Sequence, residues 1–241
     1  MMRIYHTSDL HNHGGIAPRL RALREARPGL YVDCGDSLRG SQTMFFKREP
    51  IIAELDAAGV DLQAMGNREF NYAFGFVRAR AVQMQHPLLC SNLVDVRGRT
   101  LPFVRDFQLA RDGWRLRFCG LLVPQYPAGS GWERVFGWRF LDAYEVAAQF
   151  AASLEPGETF VVLSHLGLRA DRELAARVPR IDLLLGGHSH DTLELPERVG
   201  TVPIAHAGPY GKFVSCSELE RDGDGRARLA NFALIPLLAA S

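Results

Sequence analysis

Short apolar runs that stop abruptly at polar, glycine-containing stretches recur along the chain, separated by segments with apolar residues at helical spacing. The first run, Arg3 to His6, breaks at Thr7, and a helix is predicted from Ile16 to Ala26, with Leu20 and Leu23 apolar and Pro28 and Gly29 ending it. "GLYVDCGD" reads as a buried strand closed by Gly35, residues 47–58 as a helix, "DLQAMGN" as strand then turn, and 71–85 as a helix despite Gly75. "HPLLCSNL" supplies a further strand, and the alternation from Leu101 to Val123 about Gly113 predicts a hairpin. A helix near Asp142 to Ser153 leads to "TFVVLSHLG", and a short helix near Asp171 to Val178 leads to "RIDLLLGGHSH". The segment from Val202 to Pro236 is expected to form antiparallel strands turning at "DGDG", and the apolar "ALIPLLAAS" a last strand or tail packed on the body.

Alternating β and α elements followed by a mostly β third place the chain in the α/β class. No Pro/Gly/Ser-rich linker, charge run, repeat or low-complexity segment divides its 241 residues, so a single domain spanning 1–241 is expected. With 28 basic and 27 acidic residues there is no broad electrostatic footprint for a stable nucleic-acid complex or an anionic membrane surface. Cys34, Cys90, Cys119 and Cys216 lie far apart in apolar, strand-like surroundings, as buried thiols in a reducing compartment do. No signal-like start or membrane-length apolar stretch is present, which makes the cytoplasm the default expectation.

The polar stretches carry the chemistry. "SDLHNH" (8–13), "CGDSLRG" (34–40), "GNREFN" (66–71), "LSHLG" (163–167) and "GGHSHD" (186–191) follow five separate apolar runs, and each offers an oxygen or imidazole donor at a strand end. In extended backbone, residues two apart point to one side, so Asp9 with His11, and His188 with His190, are each expected to aim at a common point. Gly35, Gly66, Gly167, Gly186 and Gly187 allow tight turns and close backbone approach. Asp36 has two oxygens and can bridge two cations roughly 3.5–4 Å apart, the spacing of two-metal hydrolysis. Mixed imidazole and carboxylate donors suit Mn, Fe, Co, Ni or Zn better than Ca or Mg, so a dinuclear transition-metal centre is expected.

"HTSDLH", "VDCGDSLRGS", "GNREF", "LSHLGL", "DLLLGGHSH" and "AGPYGKFV", in that order and over nearly the whole chain, resemble the blocks of the calcineurin-like metallophosphoesterases, in the 5′-nucleotidase and cyclic-nucleotide phosphodiesterase branch. The resemblance implies a four-layer α/β/β/α fold, two mixed β-sheets packed face to face and flanked by helices. It also implies that Asp9, His11, Asp36 and His190 hold one metal and that Asp36, Asn67, His165 and His188 hold the other, with manganese the favoured ion. A metal-bound hydroxide would then attack a small phosphoester, with nucleotides among the candidates.

The block normally reads "GNHEFD", where the histidine protonates the leaving oxygen or stabilises the transition state and the aspartate orients it. Here Arg68 and Asn71 occupy those positions. Arginine can hold a phosphoryl oxygen but has no proton to release near neutrality, and loss of a general acid costs about 10²–10⁴ in rate. His13 is a candidate replacement acid, with a supporting or surface position as the alternative, and His206 lies in a block the family places near the site, with a half-buried strand-end position as the alternative. His6 and Asp33 are expected to hold ligand imidazoles through their second nitrogen; His86 shows no sign of function. Secreted 5′-nucleotidases carry a C-terminal domain that grips the base, which this sequence is expected to lack, so their nucleotide specificity does not transfer.

The leading expectation is therefore a metal-dependent phosphomonoesterase or phosphodiesterase, with sulfate esters as shape mimics. The altered dyad motivates the alternative of a catalytically weakened or non-catalytic metal-binding module. A barrel-type amidohydrolase, suggested by "HNH", would leave Asn67 and the "GD" block unexplained and does not match the β-rich C-terminal third.

Overall fold

A computed structural model describes residues 1–237. One six-stranded sheet has the order β14-β13-β1-β2-β3-β4. Its parallel strands are β1 (Met2–Thr7), β2 (Leu30–Asp33), β3 (Leu62–Ala64) and β4 (Leu88–Leu89); β13 (Phe213–Arg221) and β14 (Ala227–Pro236) are antiparallel to their neighbours. The second sheet has the order β11-β12-β10-β9-β7-β6. There β7 (Trp114–Leu122), β9 (Glu158–His165), β10 (Leu183–Gly186) and β12 (Val202–His206) are parallel, with β6 (Phe107–Arg111) and β11 (Glu197–Val199) antiparallel at the edges. A small ribbon pairs β5 (Leu93–Asp95) with β8 (Trp138–Phe140).

Strand alternation builds the layers. Ile4, Val32, Val161, Leu163, Leu183 and Leu185 meet between the sheets, while their neighbours Tyr5 and Tyr31 turn outward under α1 (Ala17–Ala26) and α2 (Pro50–Ala58). On the other side Phe160, Val162 and Leu184 pack under α5 (Ala143–Ala152) and α6 (Leu168–Arg177). Strands covered on both faces must be apolar at consecutive positions, which is why the central runs are unbroken. The expected four-layer α/β/β/α arrangement is therefore present. A fourth cluster, containing Phe70, Val77, Tyr126, Trp138 and Phe140, joins α3 (Phe74–Ala81) to the ribbon and α4 (Gly131–Phe136). All four cysteines are buried and free among the described residues, and no described helix is long and apolar enough to cross a membrane.

Three segments differ from the sequence expectation. The helix predicted over 71–85 starts only at Phe74, because the Asn71 carbonyl oxygen Oδ1 accepts the Ala73 N–H and makes a turn there. "HPLLCSNL" pairs only through Leu88–Leu89 before Ser91 and Asn92 bond other strands' backbone. Val202 to Pro236 is not one antiparallel unit: β12 lies beside β10 in the second sheet, and only β13 and β14 form the hairpin. The crossing between sheets, Ala207–Lys212, passes over the rim where the polar clusters gather, with the Tyr210 N–H on the Asp9 carbonyl at 2.8 Å. "ALIPLLAAS" runs into β14 as far as Pro236; residues 238–241 lie outside the described residues.

Candidate metal centre

The loops that leave β1, β2 and β3 in one sheet and β9 and β10 in the other converge at a single rim formed by the carboxyl ends of the strands. Beyond the strands, the first two loops stay laced together: Asp9 N–H to Gly35 O (2.8 Å), His11 N–H to Asp36 O (2.9 Å) and Asn12 N–H to Ser37 O (2.8 Å). Asp9 also reaches across the sheets, its carboxylate accepting the His188 N–H at 3.0 Å. Gly66 is needed for close approach: a Cβ there would lie 2.5 Å from Asp36 Oδ1 and 2.9 Å from His165 Cε1.

Asp9, His11, Asn12, Asp36, His188, His190 and Tyr210 all have positive φ, from 47° to 77°; among the described residues other than glycine, only Asp112, in the β6–β7 turn, shares this conformation. Left-handed backbone costs on the order of 1 kcal/mol per residue outside glycine, somewhat less for Asp and Asn, and persists where surrounding contacts over-determine it. The extended-backbone argument for Asp9/His11 and His188/His190 is thereby corrected. These residues turn through left-handed conformations, and the two histidines of "GGHSH" are divided between two donor groups.

Those groups are Asp9–His11–His190 and Asp36–His165–His188, the donor atoms of each lying within 4.8 Å of one another. In the first, His11 Nε2 and His190 Nε2 are 3.0 Å apart, and lie 3.7 and 3.5 Å from Asp9 Oδ1. In the second, His165 Nδ1 donates to the Cys34 carbonyl at 2.7 Å, which aims Nε2 at Asp36 Oδ1, 3.3 Å away. That buried Nε2 has no hydrogen-bond partner among the described residues, as expected of an imidazole oriented to ligate. The donors present fit two borderline divalent cations.

The electrostatics agree. Burial opposes the charge on Asp9, yet the hydrogen bond from His11 and the nearby His165 hold its carboxyl below the usual range. Burial likewise opposes Asp36, but His165 and the Arg68 N–H lower it to about 2. Burial, with His165 alongside, lowers His188 and favours a neutral ring. His165 is disfavoured as a cation by burial, but Asp36 and Asp9 raise it to about 9, so a cation arriving there displaces a proton.

Asn67 stands beside the second group, with Nδ2 3.3 Å from His188 Nδ1 and Oδ1 accepting from Gln125 Nε2 at 2.9 Å. Arg68 donates its backbone N–H to Asp36 Oδ1 at 2.8 Å, while its Nη1 donates to the Leu38 and Arg39 carbonyls. Its guanidinium pairs with neither Glu69 nor Asp9. Asn71 donates to the Ser41 carbonyl at 3.2 Å, so the two altered positions hold separate points of one loop. His13 is exposed, bonded to the Leu10 carbonyl, with its ring 4.8 Å from that of Tyr210.

Other candidates lie elsewhere. His206 is buried in β12 against Asp171 at 2.7 Å, outside both groups. His6 bonds Ser215, and Asp33 accepts from Thr7, Gly35, Ser37 and Gln63; neither holds a ligand imidazole, because both side chains are used to fix backbone turns and strands beneath the rim. Three further residues contribute that the sequence alone assigns no role, although Glu69 and Tyr210 lie in the blocks "GNREF" and "AGPYGKFV": Glu69, whose buried carboxylate accepts the N–H groups of Asp36, Ser37, Leu38 and Gly66; Gln125, on Asn67; and Tyr210, whose ring packs 5.6 Å from both His11 and His190.

The fold and this donor set are those of a metal-dependent hydrolase, and the chain belongs to the calcineurin-like phosphoesterase family, which matches residues 2–192. Within it, the chain is 29% identical over 244 residues to the uncharacterized metallophosphoesterase YunD of Bacillus subtilis, covering 94% of this chain and 51% of YunD. It is 25% identical over 288 residues to the trifunctional nucleotide phosphoesterase protein YfkN of the same organism, covering 98% of this chain and 19% of YfkN. The 5′-nucleotidase precursor of Thermus thermophilus superposes with a TM-score of 0.81 at 26% identity, over 98% of this chain and 54% of that one. The chain thus spans about half, or less, of the length of these relatives.

Proposed function

We propose that the chain hydrolyses phosphoester bonds of small molecules, monoesters or diesters, with one divalent transition-metal ion held by Asp9, His11, Asp36 and His190 and a second by Asp36, Asn67, His165 and His188. The observation that carries this reading is the pair of Asp–His–His groups on one rim, with the bare, buried His165 Nε2 between the sheets. When bound, such cations neutralise phosphoryl oxygens and lower the pKa of water. Manganese is the first ion to test, with Fe, Zn, Co and Ni as alternatives offered by the same donors.

The chain's own groups divide the remaining work. Asp36, charged and buried, presents Oδ1, fixed by the Arg68 N–H, beside His165 Nε2 and has Oδ2 left to offer to the other cation. Asn67, beside His188, would supply a neutral amide oxygen, and a neutral ligand leaves positive charge available for the phosphate. Arg68 uses only Nη1 on backbone, so its Nε and Nη2 hydrogens can hold a phosphoryl oxygen, but it releases no proton. His13, exposed at the rim, is the group we assign to proton delivery toward the leaving oxygen. The names of YfkN and the Thermus protein favour nucleotides as the first substrates to try. Four unpaired buried thiols favour a cytoplasmic setting.

The test is turnover of an aryl phosphate, bis-aryl phosphate and nucleotide panel with Mn²⁺ and with chelator. Metal-dependent cleavage, better on aryl esters than on AMP, is expected. A protein that binds metal but cleaves nothing on the panel would leave only the alternative, a binding module that retains the fold.

A further inference from the structure

Beside the metal centre lies a cavity of about 350 Å³ lined by Thr43, Tyr72, Gln125, Tyr126, Trp132 and Phe136. Its rings form a column: Trp132 stacks on Phe136 (5.7 Å between centroids, 11° between planes), Phe136 on Tyr72 (4.7 Å, 22°), and Tyr72 on Tyr126 (6.2 Å, 23°). Packing explains the inner part, since Tyr126 is buried and belongs to the aromatic cluster under the β5–β8 ribbon. It does not explain Trp132, which is 55% exposed at the outer end of the column. A large ring held by one stacked neighbour and otherwise open to water gains little for the fold. It does offer a free π-face.

The cavity is continuous with the chemistry. Gln125, part of its wall, donates to Asn67 Oδ1 at 2.9 Å and to the Val123 carbonyl at 2.8 Å, and receives Gln42 Nε2 at 3.0 Å. One side chain therefore separates the aromatic wall from a residue of the proposed metal centre.

We propose that this cavity seats a planar aromatic group of the substrate, so that the substrate class is phosphoesters carrying a flat ring within a few bonds of the phosphorus. The proposal rests on the reading that a phosphoester lies at the metal centre. The ring enters against the open face of Trp132, with Tyr72, Tyr126 and Phe136 forming the apolar floor and Gln125 the polar edge toward the phosphate. Trp132 is then a specificity-determining residue, and its loss weakens binding of flat substrates without touching the groups that hold the phosphate.

The test uses the full chain with Mn²⁺ and three phosphonates, which resist hydrolysis: methyl-, benzyl- and cyclohexylmethylphosphonate. Affinity is read by calorimetry and by tryptophan fluorescence. Trp114 and Trp138 are buried, so a quenching signal arises from Trp132. The expected result is benzylphosphonate binding roughly tenfold tighter than the other two, the scale of one ring stacked on an aromatic side chain, with fluorescence quenching. Trp132→Ala should abolish that tenfold preference while methylphosphonate binds as before, and Trp132→Phe should restore most of it. Equal binding of benzyl- and cyclohexylmethylphosphonate, or an unchanged preference in Trp132→Ala, would overturn the cavity assignment alone. Failure of all three to bind would overturn the phosphoester reading and this proposal with it.

Discussion

Glu69→Gln is an isosteric change whose cost follows from a count of hydrogen bonds. In the native side chain Oε1 accepts from Ser37 N (3.0 Å) and Leu38 N (3.3 Å), and Oε2 from Asp36 N (2.8 Å) and Gly66 N (2.9 Å). Whichever oxygen becomes NH₂, two buried backbone N–H groups lose their acceptor and face a donor. An unsatisfied buried donor costs about 1–3 kcal/mol, so the change should cost about 2–6 kcal/mol. For a chain of this size 1 kcal/mol corresponds to about 2–4 °C, which predicts a fall of roughly 5–20 °C in the midpoint. Burial, followed by the Asp36 charge, pushes the Glu69 pKa up, so removing its charge also relieves some repulsion. That relief acts against the prediction and is expected to lose to the amide clamp. Thermal melts in chelator measure the stability, and Mn²⁺ calorimetry measures the second effect, weaker binding as the loop carrying Asp36 loosens. A midpoint within about 2 °C of the parent, with unchanged Mn²⁺ affinity, would refute the clamp.

In His13→Asn, which removes the group assigned to proton delivery, kcat/KM should fall steeply as the leaving-group pKa rises, and adding Arg68→His with Asn71→Asp should restore turnover of poor leaving groups. The same pair should cost little stability, because the Ser41 carbonyl that Asn71 Nδ2 meets keeps its bond from Arg80 Nη2 at 3.0 Å; rates insensitive to the leaving group in His13→Asn would contradict the role given to that histidine. Because Asp36 and Asp9 hold His165 at about 9, Mn²⁺ binding at pH 7.5 should release protons, visible as a binding enthalpy that differs between Tris and Hepes, and apparent affinity should rise with pH up to about 9. Buffer-independent enthalpy would count against a proton at that site. Burial, with His206 nearby, lowers His6 to about 3, below its unfolded value near 6.5. The unfolded chain then binds a proton that the folded chain does not, so stability should be lost as pH falls from about 6.5 to 3, by on the order of 4 kcal/mol. Urea titrations in chelator at pH 7 and 4.5 should show about 2–3 kcal/mol of that loss, and His6→Asn should reduce it.

What the sequence made legible were features with a local cause. Strands sandwiched between layers are apolar at successive positions, so β1, β2, β9 and β10 stand out, and ligands at their carboxyl ends are marked by the change from apolar to polar. The direction in which those ligands turn was not legible, because φ at His188 and His190 is decided by contacts such as Asp9 on the His188 N–H, made by residues far away in the chain. The same holds for Glu69 and Gln125, whose partners are brought to them by the fold. Nor does periodicity separate β12 from β13: both are apolar strands, and the loop through Tyr210 that sends them to different sheets is explained by its bond to Asp9.

The central claim is that side chains from five loops together bind two cations, with Asp36 common to both. Elemental analysis of protein dialysed against Mn²⁺, parent beside Asp36→Asn, tests it most directly. The expected result is two equivalents per chain in the parent and at most one in the variant, with the fold retained. Equal metal content in the two proteins would contradict it.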